Sequence, residues 1–252
     1  MLTRTEGIVL KNQKYGEADL IVTYLTSDKG IINAFAKSPR KTKSRFGSSL
    51  EPLTHSRIAL WGKEQSLPKI TQSDIIASCH ELRENFHDFA NISKLIEILI
   101  SLVPEGIPNK RLFTFILNLL QAIRATDHGS KDLLHLITII RLLATIGYAP
   151  RLEGCGRCGK ENFDFYPSSG TTLCGDCSPA SYRRGNSCIR INSKVINFYS
   201  HTLEWPIKIA NRLKPDALTI AVLSDLLDKH VTYLLSKKLR SAEFLTKLTR
   251  QV

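Results

Sequence analysis

Four cysteines in the second half of the chain have the residue type and spacing of metal ligands. They form two C-x-x-C pairs with fifteen residues between the pairs: Cys155 with Cys158, and Cys174 with Cys177. Two intervening residues allow both sulfur atoms of a pair to reach one tetrahedral ion at about 2.3 Å, and two such pairs at this separation are typical of four-thiolate zinc ribbons. Because four protein ligands leave no open coordination position, the pattern predicts one structural Zn²⁺ and not a catalytic metal.

The first cysteine pair overlaps two nucleotide-binding motifs in the stretch GCGRCGKE, residues 154–161. The glycine spacing G-x-G-x-x-G matches a dinucleotide site, but such a site needs a strand before the motif and a helix after it. A phosphate loop needs Ser or Thr at the position of Glu161, since that hydroxyl binds Mg²⁺. Only the metal interpretation finds its second half elsewhere in the chain. The remaining cysteines, Cys79 and Cys188, are expected to be buried thiols.

A basic segment near residue 40 is the strongest candidate for binding an anion. The stretch AKSPRKTKSRFG, residues 36–47, contains five cations and no acidic residue, and the whole chain has a formal net charge of +12. A soluble basic protein without an anionic partner would explain the net charge alone, but a local cluster favours nucleic acid. Such cations neutralise backbone phosphates without reading the base sequence. The predicted nucleic-acid-binding residues are Lys37, Arg40, Lys41, Lys43 and Arg45.

Three aromatic residues of the same region are candidates for stacking on unpaired bases: Tyr15, Phe46 and Trp61. Aromatic faces bind the bases of single strands with little regard to sequence. For each of the three, packing inside a barrel or at its rim is an equally good interpretation.

The sequence contains no recognisable catalytic constellation. Neither G-x-S-x-G nor H-E-x-x-H occurs, and the seven histidines are scattered along the chain. The clustered carboxylates that two-metal phosphodiester cleavage requires are also missing. We therefore expect a binding protein and not an enzyme.

The elements that must position these residues change character at residue 80. Before it, β-branched and aromatic runs alternate with turn-forming residues and predict five short strands. These runs are residues 6–12, 19–27, 30–37, 55–61 and 67–74. Five strands in this length predict a closed Greek-key barrel of the oligonucleotide-binding type, although an SH3-like barrel fits the strand count almost as well.

After residue 80 the apolar period changes from two to 3.6, which predicts helices. The helical regions are 86–103, 113–123, a helix capped by Ser130 that ends near Gly147, a segment from Ser193, and a segment from Asp216 to Leu248. Residues 151–187 lack this period and are rich in Gly, Cys and Ser. The predicted fold class is therefore α+β with two domains, a barrel at 1–80 and a helical domain at 81–252 into which the zinc ribbon at 151–187 is inserted.

The sequence also predicts the environment of the protein. No apolar run approaches the roughly 20 residues of a membrane-spanning helix. The start, MLTRTEGIVLKN, lacks the apolar core and cleavage site of a signal peptide. We therefore expect a cytoplasmic protein without a membrane partner, in which the thiols are reduced or bound to metal.

Several segments along the chain together resemble one known family. They are E-G-I-V-L at 6–10, Y-G-E at 15–17, T-x-x-x-G at 26–30, the basic loop, L-E-P-L at 50–53, I-G-Y-A-P at 146–150 and the cysteine ribbon. In this order they resemble the RecO family of bacterial DNA repair proteins. The resemblance spans nearly the whole chain.

The resemblance implies a recombination mediator with an oligonucleotide-binding barrel and a helical domain. Members bind single- and double-stranded DNA, anneal complementary strands, engage the acidic C-terminal tail of the single-strand-binding protein SSB, and act with RecR to help RecA load. It also implies a nucleoid-associated location. The family tends to carry a Ser-Arg-basic run before a final Phe-Leu. This chain has KKLRSAEFL at 237–245, with Ala242 and Glu243 where the family tends to carry more positive charge. Without the resemblance, an RNA-binding protein that acts on structured RNA is the alternative function.

Overall fold

Alternation of inward apolar and outward polar side chains gives the first part of the chain five strands. They are β1 (Leu2–Tyr15), β2 (Asp19–Thr26), β3 (Gly30–Ala36), β4 (His55–Trp61) and β5 (Lys69–Ala77). The strands close into a barrel in the order β1-β2-β3-β5-β4. Since β1 pairs with both β2 and β4, and β5 lies between β3 and β4, the barrel is of the oligonucleotide-binding type and not SH3-like. This part of the sequence prediction is confirmed.

The barrel closes through a narrow seam. Strands β3 and β5 are parallel neighbours with a single registered pair, Phe35 with Lys69. A short 3₁₀ helix at Gly47–Leu50 contacts β5. Phe46 and Leu50 belong to the same buried apolar cluster as strand residues such as Tyr24. The chain between β3 and β4 therefore contributes side chains to the barrel core.

A computed structural model of the chain describes residues 1–40, 44–63, 66–126, 131–178, 188–237, 239 and 241. The chain divides into two compact units, one made of Met1–Ala90 with Val103–Ala125, and the other of Asn91–Leu102 with Thr126–Val252. Among the described residues, none of the helices has both the length and the apolar character needed to cross a membrane.

Seven helices follow the barrel strands within the described residues. They are α1 (His80–Glu84), α2 (Phe86–Leu102), α3 (Lys110–Arg124), α4 (Lys131–Thr145), α5 (Ser193–Glu204), α6 (Ile207–Ala210) and α7 (Ala217–Leu235). Asp216 caps α7 by accepting a hydrogen bond from the Thr219 amide. Helix α7 ends at Leu235 because Ser236 has a left-handed backbone with φ of 52°. The helix predicted from Asp216 to Leu248 is therefore interrupted at Ser236, and most of its remainder lies outside the described residues. The predicted cap Ser130 lies outside the described residues.

The segment between α2 and α3 joins the edge of β3 within the first unit. The Gly106 amide donates to the Ile31 carbonyl at 2.8 Å, and the Asn33 side chain donates to Glu105 at 2.9 Å. These bonds satisfy part of the β3 edge that β5 leaves unpaired. The sequence did not indicate this pairing, because nothing in residues 103–109 has the alternation of a strand.

The cysteine-rich region forms a small second sheet. Its strands are β6 (Arg151–Cys155), β7 (Asp164–Tyr166), β8 (Thr171–Thr172) and β9 (Ile189–Arg190), in the order β6-β8-β7-β9. Helix α4 precedes this sheet in the chain and α5 follows it. The sheet is thus an insertion between helices, as the sequence predicts.

Candidate metal centre and nucleic-acid interface

The four predicted ligands meet at one point of the cysteine-rich sheet. The Sγ atoms of Cys155, Cys158, Cys174 and Cys177 all lie within 4.8 Å of one another. Sγ of Cys158 is 3.6 Å from Sγ of Cys174. A tetrahedral ion with Zn–S bonds of about 2.3 Å separates its sulfur ligands by roughly 3.8 Å. The four thiols therefore have a spacing that could hold one metal ion.

Two tight backbone turns direct the thiols toward this point. In the first, the Cys155 amide donates to the Lys160 carbonyl at 2.8 Å, and the Gly159 amide donates to the Cys155 carbonyl at 2.8 Å. Gly159 has φ of 73°, a conformation that side-chain-bearing residues rarely adopt. In the second turn, the amides of Cys177 and Ser178 both donate to the Cys174 carbonyl. Each C-x-x-C pair is thus held by hydrogen bonds that do not involve its sulfur atoms.

The electrostatics of the cluster favour a bound cation. Backbone N–H groups of Cys174 and Arg157 lower the pKa of the Cys155 thiol to about 6. Hydrogen bonding with the neighbouring sulfurs of Cys174 and Cys158 instead raises the pKa of Cys177. Four thiols at this spacing cannot all ionise without a positive charge among them, because the thiolates repel one another. A metal ion supplies that charge and binds the deprotonated sulfurs.

The cysteine-rich sheet and the segment that leads into it, residues 148–150, contact helices of their own unit. The buried ring of Phe165 in β7 meets His230 of α7 edge to face, with ring centroids 5.9 Å apart. Nε2 of His230 lies 2.9 Å from the Tyr148 carbonyl oxygen. The Tyr199 hydroxyl of α5 donates to the Pro150 carbonyl at 2.8 Å. A metal at the four thiols would therefore stabilise a region that α5 and α7 contact.

The described cations around the metal ligands are already engaged. Lys160 lies 3.4 Å from Asp176, and Arg190 lies 2.8 Å from Asp164. Arg157 donates to the Cys177 carbonyl at 2.9 Å. The two ion pairs reduce the positive charge that this surface offers to a polyanion, and the Arg157 bond holds the second cysteine turn, so the described part of the region favours a structural role.

The two cysteines outside the cluster have different environments. Cys79 is buried, as expected, and burial raises the pKa of its thiol, which makes it a poor nucleophile. Cys188 is exposed immediately before β9, so the expectation that it is buried is wrong. The next residue, Ile189, is buried, and successive side chains of an extended chain point to opposite faces, so Cys188 faces outward.

The predicted basic loop begins at the rim of the barrel. Lys37, Arg40 and Arg45 are exposed, whereas Lys41 and Lys43 lie outside the described residues. Its first residues are tied to the turn between β1 and β2. The Arg40 guanidinium donates to the Glu17 carbonyl at 2.7 Å, and the Ser38 amide donates to the Asp19 carboxylate at 2.6 Å.

The three exposed cations of the loop keep their charge available. Arg45 donates to the Ile70 carbonyl at 3.4 Å and lies over the Phe46 ring, with 4.9 Å from its guanidinium carbon to the ring centroid. Arg40 contacts a backbone carbonyl and not a carboxylate. Within the described part of the chain, none of Lys37, Arg40 and Arg45 forms an ion pair with an acidic residue. These three cations can therefore bind an anion without first breaking a salt bridge to a described residue.

The three candidate stacking residues separate into two groups. Tyr15 and Trp61 are exposed, at 56% and 60%. Phe46 is only 3% exposed and packs in the barrel core. Stacking on a base is therefore wrong for Phe46, and the alternative of packing inside the barrel holds. Sequence reasoning missed Phe35 and Lys69, which lie between Tyr15 and Trp61 on the barrel, because only strand register brings them there.

Comparison with known proteins identifies the family. The model described as "Recombination protein O N terminal" matches residues 1–79, and the one described as "Recombination protein O C terminal" matches residues 83–243. Curated proteins named DNA repair protein RecO align with most of the chain. One from Thermodesulfovibrio yellowstonii is 43% identical over 230 residues, which are 90% of this chain and 91% of the relative.

Two further relatives extend the comparison across organisms. The protein from a Nocardioides species is 38% identical over 184 residues, covering 70% of this chain and 75% of the relative. The protein from Caldanaerobacter subterraneus subsp. tengcongensis is 27% identical over 248 residues, covering 98% of each chain. Together with the two family models, which span most of the chain, these relatives show that the chain belongs to the RecO family of DNA repair proteins.

Proposed function

We propose that this protein is a recombination mediator in DNA repair that binds single- and double-stranded DNA and anneals complementary strands. The observation that carries the proposal is that the described cations of the basic loop, Lys37, Arg40 and Arg45, are exposed and lie at the rim of an oligonucleotide-binding barrel. Membership of the RecO family supports the same function. We assign DNA binding to residues 1–80 and protein contacts to the helical residues 81–252.

The basic loop binds the phosphates of the DNA backbone. Lys37, Arg40 and Arg45, with Lys41 and Lys43 of the same loop, displace counterions from the backbone, so affinity falls as salt rises. Contacts of this kind carry no information about base sequence. This suits a protein that must act wherever a gap occurs.

Annealing follows from the same charge. A basic surface that holds two strands reduces the repulsion between their phosphates and raises their local concentration. Pairing then releases its own free energy and requires no nucleotide hydrolysis. The protein accordingly acts without a catalytic site.

The protein partners follow from the family and not from individual contacts. We propose that the helical residues bind the acidic C-terminal tail of SSB, and that the protein acts with RecR to help RecA load. Complementary charge supports the first of these, because the chain is strongly basic. The corresponding location is the nucleoid in the cytoplasm.

We propose zinc as the ion of the four-cysteine site. Thiolates are soft ligands, and a tetrahedral set of four is typical of zinc. Cys155, Cys158, Cys174 and Cys177 would hold the ion, which stabilises the inserted region at 151–187 when bound. The thiols supply all four ligands, so the proposed role is structural.

Annealing of complementary oligonucleotides coated with SSB tests the proposed function. The protein should accelerate annealing, and the double change Lys41→Glu with Lys43→Glu should weaken binding to both DNA forms roughly tenfold or more. The salt slope should flatten by about one for each phosphate that the loop no longer neutralises. The matched control is Lys208→Glu with Lys214→Glu, which reverses two exposed charges on other elements. No acceleration by the unchanged protein would overturn the mediator role. Equal weakening in both double variants would overturn the assignment to the loop.

A further inference from the structure

Four side chains form a band across the outside of the barrel at its seam. Phe35 of β3 and Trp61 of β4 are both register partners of Lys69 in β5, which lies between them. Tyr15, at the end of β1, reaches the same band and meets Phe35 edge to face, with ring centroids 6.0 Å apart. We call these four residues, Tyr15, Phe35, Lys69 and Trp61, the aromatic row.

Strand alternation shows that the aromatic row points away from the core. Ala34 and Ala36, the neighbours of Phe35 in β3, are fully buried. Leu60, which precedes Trp61, and Ile70, which follows Lys69, also belong to the buried core. Successive side chains of a strand point to opposite faces. Phe35, Trp61 and Lys69 therefore share the outer face, although Phe35 is partly covered.

The chemistry and spacing of the aromatic row fit a single nucleic-acid strand. Phe35 and Trp61 are separated by two strand spacings, roughly 10 Å, with the Lys69 side chain between them. Aromatic platforms with a cation between them are the means by which proteins hold unpaired bases and their phosphates. Within the described residues Lys69 has no acidic partner, and the rings of Tyr15 and Trp61 are both more than half exposed.

The aromatic row also continues the basic loop. Lys37 follows the last residue of β3 directly, two positions after Phe35. Asp19, the register partner of Tyr15, accepts the hydrogen bond that fixes Ser38 at the start of the loop. A strand whose phosphates bind the loop can therefore lay its bases along the row.

We propose that the aromatic row is a stacking site for the bases of single-stranded DNA, and that stacking makes this protein bind single strands more tightly than duplexes. The inference rests on the proposed function, because the loop must first bind DNA. Bases in a duplex stack on each other and offer no free face, so they gain nothing from the row. Pairing of two strands during annealing withdraws the bases from the row, which promotes release of the duplex.

Replacing Trp61, the most exposed ring of the row, tests the inference. Trp61→Ala should weaken binding to an unstructured oligodeoxythymidylate roughly tenfold and leave duplex binding within about twofold, with an unchanged salt slope. Trp61→Phe should recover most of the affinity, because it keeps an aromatic face. Tyr233→Ala, which removes a comparably exposed ring from α7, is the matched control and should change neither affinity.

Fluorescence gives a second, direct measurement. The chain has two tryptophans, so Trp205→Phe leaves Trp61 as the only one. Saturation with oligodeoxythymidylate should then quench the emission, whereas an equal amount of duplex should quench it far less. Equal quenching by both, or no quenching by either while the single strand is bound, would overturn the stacking site.

The outcomes separate this inference from the proposed function. If Lys41→Glu with Lys43→Glu weakens binding of both DNA forms but Trp61→Ala changes neither, the aromatic row is not a DNA site and the loop remains one. If Trp61→Ala weakens single-strand and duplex binding equally, the single-strand preference does not come from stacking. If the unchanged protein binds neither DNA form, both proposals fail.

Discussion

The barrel and the cysteine-rich sheet are both small β structures, but they are stabilised by different means. The barrel strands are seven to fourteen residues long and enclose an apolar cluster of ten buried residues. The strands of the cysteine-rich sheet have two to five residues, and two of the four buried members of its cluster are cysteines. Burial of apolar area scales with the number of enclosed side chains, so it stabilises the barrel far more than the sheet.

This difference shows where each region needs a second source of free energy. Long paired strands and a filled interior let the barrel fold from side-chain burial and backbone hydrogen bonds alone. A sheet of such short strands cannot do so in water, and metal binding commonly replaces the missing core in regions of this size. The cysteine-rich sheet should therefore depend on its ion, and the barrel should not.

The largest expected effect comes from removing one metal ligand. Cys174→Ser should abolish stoichiometric metal binding and unfold the inserted region, because structural zinc in zinc-finger peptides contributes an apparent binding free energy of about 10–16 kcal/mol. Metal content by mass spectrometry should fall from one zinc per chain to none. Calorimetry should show a large decrease in the stability of the second unit and an unchanged transition for the barrel.

Cys188→Ser is the matched control for that change. Cys188 is exposed and lies outside the ligand cluster, so its replacement should alter neither metal content nor stability. A Cys174→Ser protein that keeps full stability without metal would show that the cysteine-rich sheet, like the barrel, does not depend on an ion. A barrel transition that shifts together with the second unit would show that the ion stabilises both.

A smaller decrease in stability is expected from removing a side chain from the barrel core. Phe46→Ala removes a buried ring that no strand contributes, and large-to-small changes of this kind cost about 3–5 kcal/mol. Urea unfolding should show this decrease in the barrel, while zinc content stays at one per chain. Trp61→Ala removes an exposed ring from the same unit and should cost less than about 1 kcal/mol. Similar costs in both variants would contradict the placement of Phe46 in the core.

Much of this comparison can be predicted from the sequence, because each region has a local pattern. The barrel strands show alternation, and the metal ligands show the C-x-x-C spacing, so neither requires knowledge of distant contacts. Phe46 has no such pattern: it lies in a loop between a basic run and a Gly-Ser turn. A lone aromatic residue in a loop is equally consistent with an exposed stacking residue and with a buried core residue. Only the packing of the closed barrel shows which of the two Phe46 is.

Two features that the sequence does not predict depend on long-range pairing. Lys69 becomes the neighbour of both Phe35 and Trp61 only when the barrel closes. The bond from Gly106 to Ile31 likewise joins residues that are far apart in the chain. Register between distant segments is fixed by the packing of whole faces, which no window of the sequence contains. The sequence therefore predicts only two members of the aromatic row, Tyr15 and Trp61.

The smallest expected effect is a pH dependence confined to the barrel. His55 of β4 is buried, with Nε2 3.3 Å from Glu6, and its ring meets Phe113 edge to face. Burial lowers the pKa of His55 below its usual value, although the Glu6 carboxylate opposes the shift. The unfolded chain then binds more protons than the folded chain, so this contribution to stability is present above about pH 6.5 and is lost as the pH falls below it.

Two variants test the sign of this effect through urea unfolding of the barrel at pH 7.5, 6.5 and 5.5. His55→Asn should reduce the loss of stability on acidification, since the titrating group is gone. Glu6→Gln should increase the loss, because removing the carboxylate lowers the pKa of His55 further. Both changes should be smaller than the decrease for Phe46→Ala. If Glu6→Gln instead flattened the pH dependence, the pair with Glu6 would outweigh burial, and protonated His55 would stabilise the barrel.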